Sequence, residues 1–144
     1  DRLTNVAISM LDETLSKIDA GIATPAAQVG ASTHAAKLSR VDVQIDWSNS
    51  ASQIENLVRG AYPEPIAWAK FEAEAIRIIR ARRHDSVPSP LDDVEIGTAL
   101  LIESLVLVKT GNGVLQLIEV QPASKNIMPA ADWLRGKHGR LVLS

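Results

Sequence analysis

The chain has 144 residues, no cysteine and a formal charge of −2. That length supports one substantial core with an appendage beside it, and the lack of thiols excludes disulfides and thiolate metal sites. Hydrophobic residues make up 46% and charged residues 22%, which is the balance of a folded protein; the mildly acidic total excludes the strongly basic footprint of a dedicated nucleic-acid binder, so any such contact must be local.

In chain order, Leu3, Val6, Ala7, Met10, Leu11, Leu15 and Ile18 recur at three- and four-residue intervals, which predicts one amphipathic helix with Gly21 as its stop. Nothing in the next stretch offers that apolar stripe a partner. Residues 22–43 are rich in Ala, Thr, Ser and Gly and hold no sustained period. They predict a linker with one helical turn around Ala35–Leu38.

Ser50 and Gln53 have the spacing of a capping box, with Ser48 as an alternative N-cap, and Ile54, Leu57, Val58 and Ala61 follow at helical spacing. A short one-sided helix is expected, ended by Pro63. Trp47, just ahead of it, reads as a core anchor, and Asp46 with Ser48 as groups that satisfy helix-end N–H donors. From Ala67 the period changes. Ile76, Ile78, Ile79 and Ala81 interleave with Arg77, Arg80 and Arg82, as in a strand with a slip of register, while Ala and Glu content makes a helix over Ala69–Arg83 the competing local choice.

Residues 85–103 carry five acidic side chains and no Lys or Arg, and predict a loop leading to a strand at Thr98–Ile102. Strands at Leu105–Lys109 and Val114–Val120 flank Thr110-Gly111-Asn112-Gly113, a hairpin signal because Asn and Gly tolerate positive φ. Pro129 at a first helical position and Gly136 beyond the last turn predict a closing helix. The fold class expected is mainly β with flanking helices: an OB-like antiparallel barrel of about five strands, preceded by a helix and a linker.

Several stretches, taken together, resemble the C-terminal region of methionyl-tRNA formyltransferases. Ile45, Asp46, Trp47, Ser48, Ala51, Ile54, Arg59, Pro63, Pro65, Ala67 and Trp68 fall on the motif that opens that family's C-terminal domain. Gly21, Pro25, Gln28, Thr33, Ala35, Lys37 and Leu38 match its linker, and residues from Gly111 to Gly136 match its closing pattern. Glu64 stands where the family often has Trp, Ile66 where it has Gly, and Ser124 and Asn126 depart from a Gly-Lys-basic run. These changes remove positive charge or backbone freedom.

The resemblance implies residues 1–22 as the last helix of a Rossmann-like catalytic domain, 23–43 as a linker and 44–144 as an OB-like tRNA-binding domain. It implies an enzyme that carries a formyl group from 10-formyltetrahydrofolate, its co-substrate, to the amino group of initiator methionyl-tRNA. Its catalytic groups and folate pocket would lie upstream, so no catalytic, cofactor-binding or metal-binding residue is assigned here. Other readings are the same barrel on a related formyltransferase or formyl-folate hydrolase, and a free-standing OB-like nucleic-acid module. The last normally shows stacking aromatics on its strands, and this chain has one Phe and one Tyr.

Basic residues concentrate in 70–84, with five Lys or Arg against two Glu, and in 104–144, with five against one Glu and one Asp. If the acidic loop between these segments lies away from the barrel face, a basic stripe is left to follow phosphates. The tRNA contacts expected are Lys37 and Arg40 in the linker, Arg59 on the capped helix, Arg80 and Arg82 on the following strand, and Lys125 and Arg140. His34, His84 and His138 share no metal-ligand spacing and read as surface residues. No apolar run approaches the ~20 residues of a membrane span; a cytoplasmic monomer is expected.

Overall fold

A computed structural model describes residues 2–144. The chain divides into two units, one ending at Ala35 and the other spanning Ala36–Ser144. The first holds the helix α1, Arg2–Asp19, which buries none of its residues. Its apolar stripe is laid out at the predicted spacing, and Leu3, Val6, Met10, Leu11, Leu15 and Ile18 all stay exposed.

The second unit starts without the helical turn expected at Ala35–Leu38. A 3-10 turn forms later, at Val41–Val43, because the Asp42 carboxylate accepts from both the Ser39 N–H (2.8 Å) and the Ser39 hydroxyl (2.6 Å). Helix α2 covers Ala51–Ala61, with Ser50 rather than Ser48 as its N-cap and the Ser50–Gln53 capping box complete. Asp46 and Ser48 do not serve the helix end. They bond to each other, the Asp46 Oδ1 accepting from the Ser48 N–H (2.9 Å) and hydroxyl (2.7 Å), and these donors hold the Asp46 carboxyl below the usual Asp range.

Seven strands follow: β1 Trp68–Phe71, β2 Glu74–His84, β3 Thr98–Ile102, β4 Leu105–Lys109, β5 Val114–Gln121, β6 Met128–Pro129 and β7 Arg140–Val142, with helix α3, Ala130–Arg135, before the last. About five strands are expected from the sequence; β1 and β2 read there as one irregular strand, and β6 and β7 are two- and three-residue strands too short to leave a periodic pattern. Pro129 is the N-cap of α3 rather than its first residue. The stretch from Ala69 is strand, not helix: β2 is paired on both sides, with β1 and with β5, and ladder pairing overrides the local preference of Ala and Glu.

The sheet is antiparallel and ordered β1-β2-β5-β4-β3-β7, with β6 on β5. Its two edges meet where Lys70 and Ser144 exchange backbone hydrogen bonds (2.5 and 2.9 Å), so the sheet closes into the expected barrel. Side chains alternating inward, among them Val106 and Val108 of β4 and Leu115 and Leu117 of β5, form the core with Trp47, Ile54, Val58, Ile76 and Ile78. A second apolar cluster lies on the opposite face of β3–β4–β5, where Leu91 packs on Leu107 and Val114. That contact pins the acidic segment 85–97 to the outside of these strands.

The hairpin between β4 and β5 docks on the start of α2. The Gly111 N–H donates to the carbonyls of Trp47 (2.8 Å) and Asn49 (3.1 Å), and Ala51 N–H donates to that of Asn112 (2.9 Å). A Cβ on Gly111 would lie 1.8 Å from the Ser48 carbonyl oxygen, so only glycine permits this approach.

Candidate nucleic-acid interface

The basic side chains of β2 owe their positions to an irregularity in the ladder with β5. Regular alternation would put Arg77 and Arg80, an odd number apart, on opposite faces. The register shifts on either side of Arg80, leaving Ile79 without a partner on β5. Ile78 and Ile79 are both buried, and Arg77, Arg80 and Arg82 are all exposed or half-buried on the outer face. A β-bulge does this by inserting an extra residue on one strand and re-aiming the side chains beyond it.

Each of these arginines meets a polar side chain across the ladder. Arg77 donates to the Gln121 amide oxygen (3.3 Å), Arg82 Nε to that of Gln116 (2.8 Å), and Arg80 lies 3.5 Å from the Glu119 carboxylate. Amide partners fix a guanidinium without neutralising it, whereas Glu119 offsets much of the field of Arg80.

None of the seven expected contact residues is buried, and five of them line three concavities. Arg40 and Lys125 line one concavity of about 240 Å³ together with Arg77 and Gln121. Arg59 and Arg80 line a cleft of about 480 Å³ between α2 and β2, whose walls include Val58, Tyr62, Ile79, Glu55 and Glu119; Arg59 also donates to the Asn56 side chain (2.7 Å). Arg82 lies farther along β2 with Glu55, Arg83, His84 and Asp85. Lys37 lies in the irregular segment ahead of Arg40. Arg140 pairs with Leu100 of β3 and lines none of these concavities.

Arg77, counted among the basic residues but absent from the expected contacts, is central. It sits opposite Trp68 on β1 and opposite Gln121 on β5, so these three side chains form one row across adjacent strands. The Arg40 guanidinium lies over the Trp68 ring, 5.0 Å from its centroid, and the Arg40 carbonyl accepts from the Trp68 indole N–H (2.7 Å). At the far end the Gln121 amide donates to the Lys125 carbonyl (3.1 Å). Among the described residues, the ion pairs formed by Lys and Arg involve Lys17, Arg80, Arg83 and Arg135; Arg40, Arg77 and Lys125 have no carboxylate partner.

Apart from Asp85, which lies beside Arg82 and 3.9 Å from Arg83, the acidic segment is held away from this surface, since Leu91 packs over β3–β4–β5 and Lys109 Nζ donates to the Asp92 carbonyl. Among the described residues no group of three His, Asp or Glu side chains is arranged to hold a metal ion. No described helix is long and apolar enough to cross a membrane.

Comparison with known proteins places residues 37–138 on the family model described as formyl transferase, C-terminal domain. The methionyl-tRNA formyltransferase of Paenarthrobacter aurescens is 37% identical over 94% of this chain and 43% of its own length, and that of Thermodesulfovibrio yellowstonii 34% identical over 95% and 42%. The chain thus spans less than half the length of these curated relatives. Among solved structures, a HypX variant from Aquifex aeolicus superposes with a TM-score of 0.68 at 16% identity, over 91% of this chain and 23% of HypX. HypX in complex with tetrahydrofolic acid superposes at 0.65, over 89% and 22%. At that identity the likeness is one of fold.

Proposed function

The chain belongs to the formyl transferase C-terminal domain family, and from that premise we propose that the intact protein is a methionyl-tRNA formyltransferase and that this region is its tRNA-holding part. The intact enzyme transfers a formyl group from 10-formyltetrahydrofolate to the amino group of initiator methionyl-tRNA, as a monomer in the cytoplasm. Residues 1–22 close its catalytic domain, 23–43 are the linker and 44–144 form the tRNA-binding barrel. The chemistry belongs to the preceding catalytic domain. The role of this region is to use contacts remote from the reacting amine to hold the aminoacylated end in place, so that binding energy is converted into orientation.

The observation that carries this reading is the row of unneutralised cations from Arg40 through Arg77 to Lys125, on the unit that also bears the family match. A surface that follows phosphates needs guanidinium and ammonium groups free of carboxylates. Lys37 extends the row toward the linker; Arg59, Arg80 and Arg82 extend it along α2 and β2. Arg140 contacts tRNA from a separate position. The identity of 37% and 34% to curated methionyl-tRNA formyltransferases favours this reading over a formyl-folate hydrolase.

In the full-length protein, Lys37→Glu with Arg40→Glu raises KM for methionyl-tRNA about tenfold, the cost of lost phosphate contacts and added repulsion, and leaves KM for the formyl donor unchanged. Steady-state formylation assays check it. An unchanged KM for tRNA contradicts the proposal.

A further inference from the structure

The cationic row ends in a groove of about 340 Å³, lined by Pro63, Pro65, Ile66 and Trp68, with Arg40, Arg77 and Glu64 also on its walls. Arg40 and Arg77 line this groove and the Lys125 concavity alike, so the two are continuous. One end is apolar and flat-sided, with an aromatic ring and a single carboxylate; the other carries three cations.

That is the chemistry of one nucleotide. Resting on the tRNA reading, we propose that this composite site captures a single unstacked nucleotide of the RNA, its phosphate against Arg40, Arg77 and Lys125 and its nucleoside in the groove beside Trp68. Trp68, Arg77 and Gln121 stand opposite one another on three neighbouring strands, and neighbouring strands are about 4.8 Å apart. The row therefore covers roughly 10 Å, a span suited to one phosphate and its attached sugar and base. Guanidinium groups bind a phosphate through paired N–H donors, and aromatic or guanidinium planes take a base that has left its stack. The Arg40 guanidinium over Trp68 supplies both kinds of plane at once. Glu64, an acceptor at the groove wall, receives hydrogen bonds from a base amino group or ribose hydroxyl. It also keeps a second phosphate out of the apolar end.

The test is a titration of the ¹⁵N-labelled chain with methionine tRNA, following the Trp68 indole N–H resonance, which Trp68→Phe assigns. Wild type is expected to show a Trp68 shift that saturates with binding. Arg77→Ala is expected to abolish that shift, to weaken binding about tenfold and to lower the salt slope by about one phosphate; Arg77→Lys restores the slope but not the shift. Lys17→Ala, a charge change on α1, leaves the Trp68 shift in place. Binding of tRNA without a Trp68 shift, or with Arg77→Ala unaffected, overturns the nucleotide site and leaves the wider tRNA reading standing. No binding of tRNA by the wild-type chain overturns both.

Discussion

At the scale of the residue, the most constrained position is Gly111. Its N–H bonds to the start of α2, and a Cβ there would meet backbone at 1.8 Å. Neither backbone segment can retreat without breaking the hydrogen bonds that join them. Gly111→Ala is expected to cost about 3 kcal/mol, the upper end of ordinary overpacking, seen as a fall in the urea midpoint without a change of slope. Ile66 is the opposite case. It holds φ at +64°, where a β-branched residue is strained by about 1–2 kcal/mol, and where the resembled family has glycine. Ile66→Gly trades half-buried apolar surface for relief of that strain. Its stability is expected to stay within about 1 kcal/mol of wild type by the same measurement. A larger loss would mean that the side chain, not the backbone, decides this position.

At the scale of the element, α2 depends on its cap, because a helix of 11 residues is marginal in isolation. Ser50 Oγ accepts from the Gln53 N–H, and the Gln53 side chain accepts from the Ser50 N–H and hydroxyl. Ser50→Ala is expected to cost about 1 kcal/mol, with faster amide exchange at the first turn of α2 as its local signature. This cap was legible in the sequence because both partners lie within four residues. So was the β4–β5 hairpin, whose Gly-Asn-Gly turn carries a backbone requirement in its composition. The hairpin between β3 and β4 uses Glu103 and Ser104, both at positive φ; neither residue type announces that conformation, and the turn is set by the strands it joins.

At the scale of the whole molecule, the candidate site is assembled from Arg40, Trp68, Arg77, Gln121 and Lys125, residues that share no local pattern. The charge of Arg40, Arg77 and Lys125 was visible in the sequence, but the adjacency of the five comes from strand order, and the bulge at Ile79 only adds Arg80 to the face of Arg77. Arg140 looked equivalent in sequence and lies beside Leu100 instead. The placement of the acidic segment was likewise set by a long-range contact, Leu91 on Leu107, that no spacing announces. A net charge of −2 is therefore compatible with a local basic row, since the fold holds most of the acidic segment away from Arg40, Arg77 and Lys125, which have no carboxylate partner.

That segregation is the central claim, and the salt dependence of tRNA binding by the chain tests it most directly. If Lys37, Arg40, Arg77, Lys125 and their neighbours neutralise phosphates, log K against log salt concentration falls with a slope of about −3 or steeper. A charge reversal at Arg40 together with Arg77 then flattens that slope by about two phosphates. A slope near zero, or one indifferent to that reversal, would contradict the account.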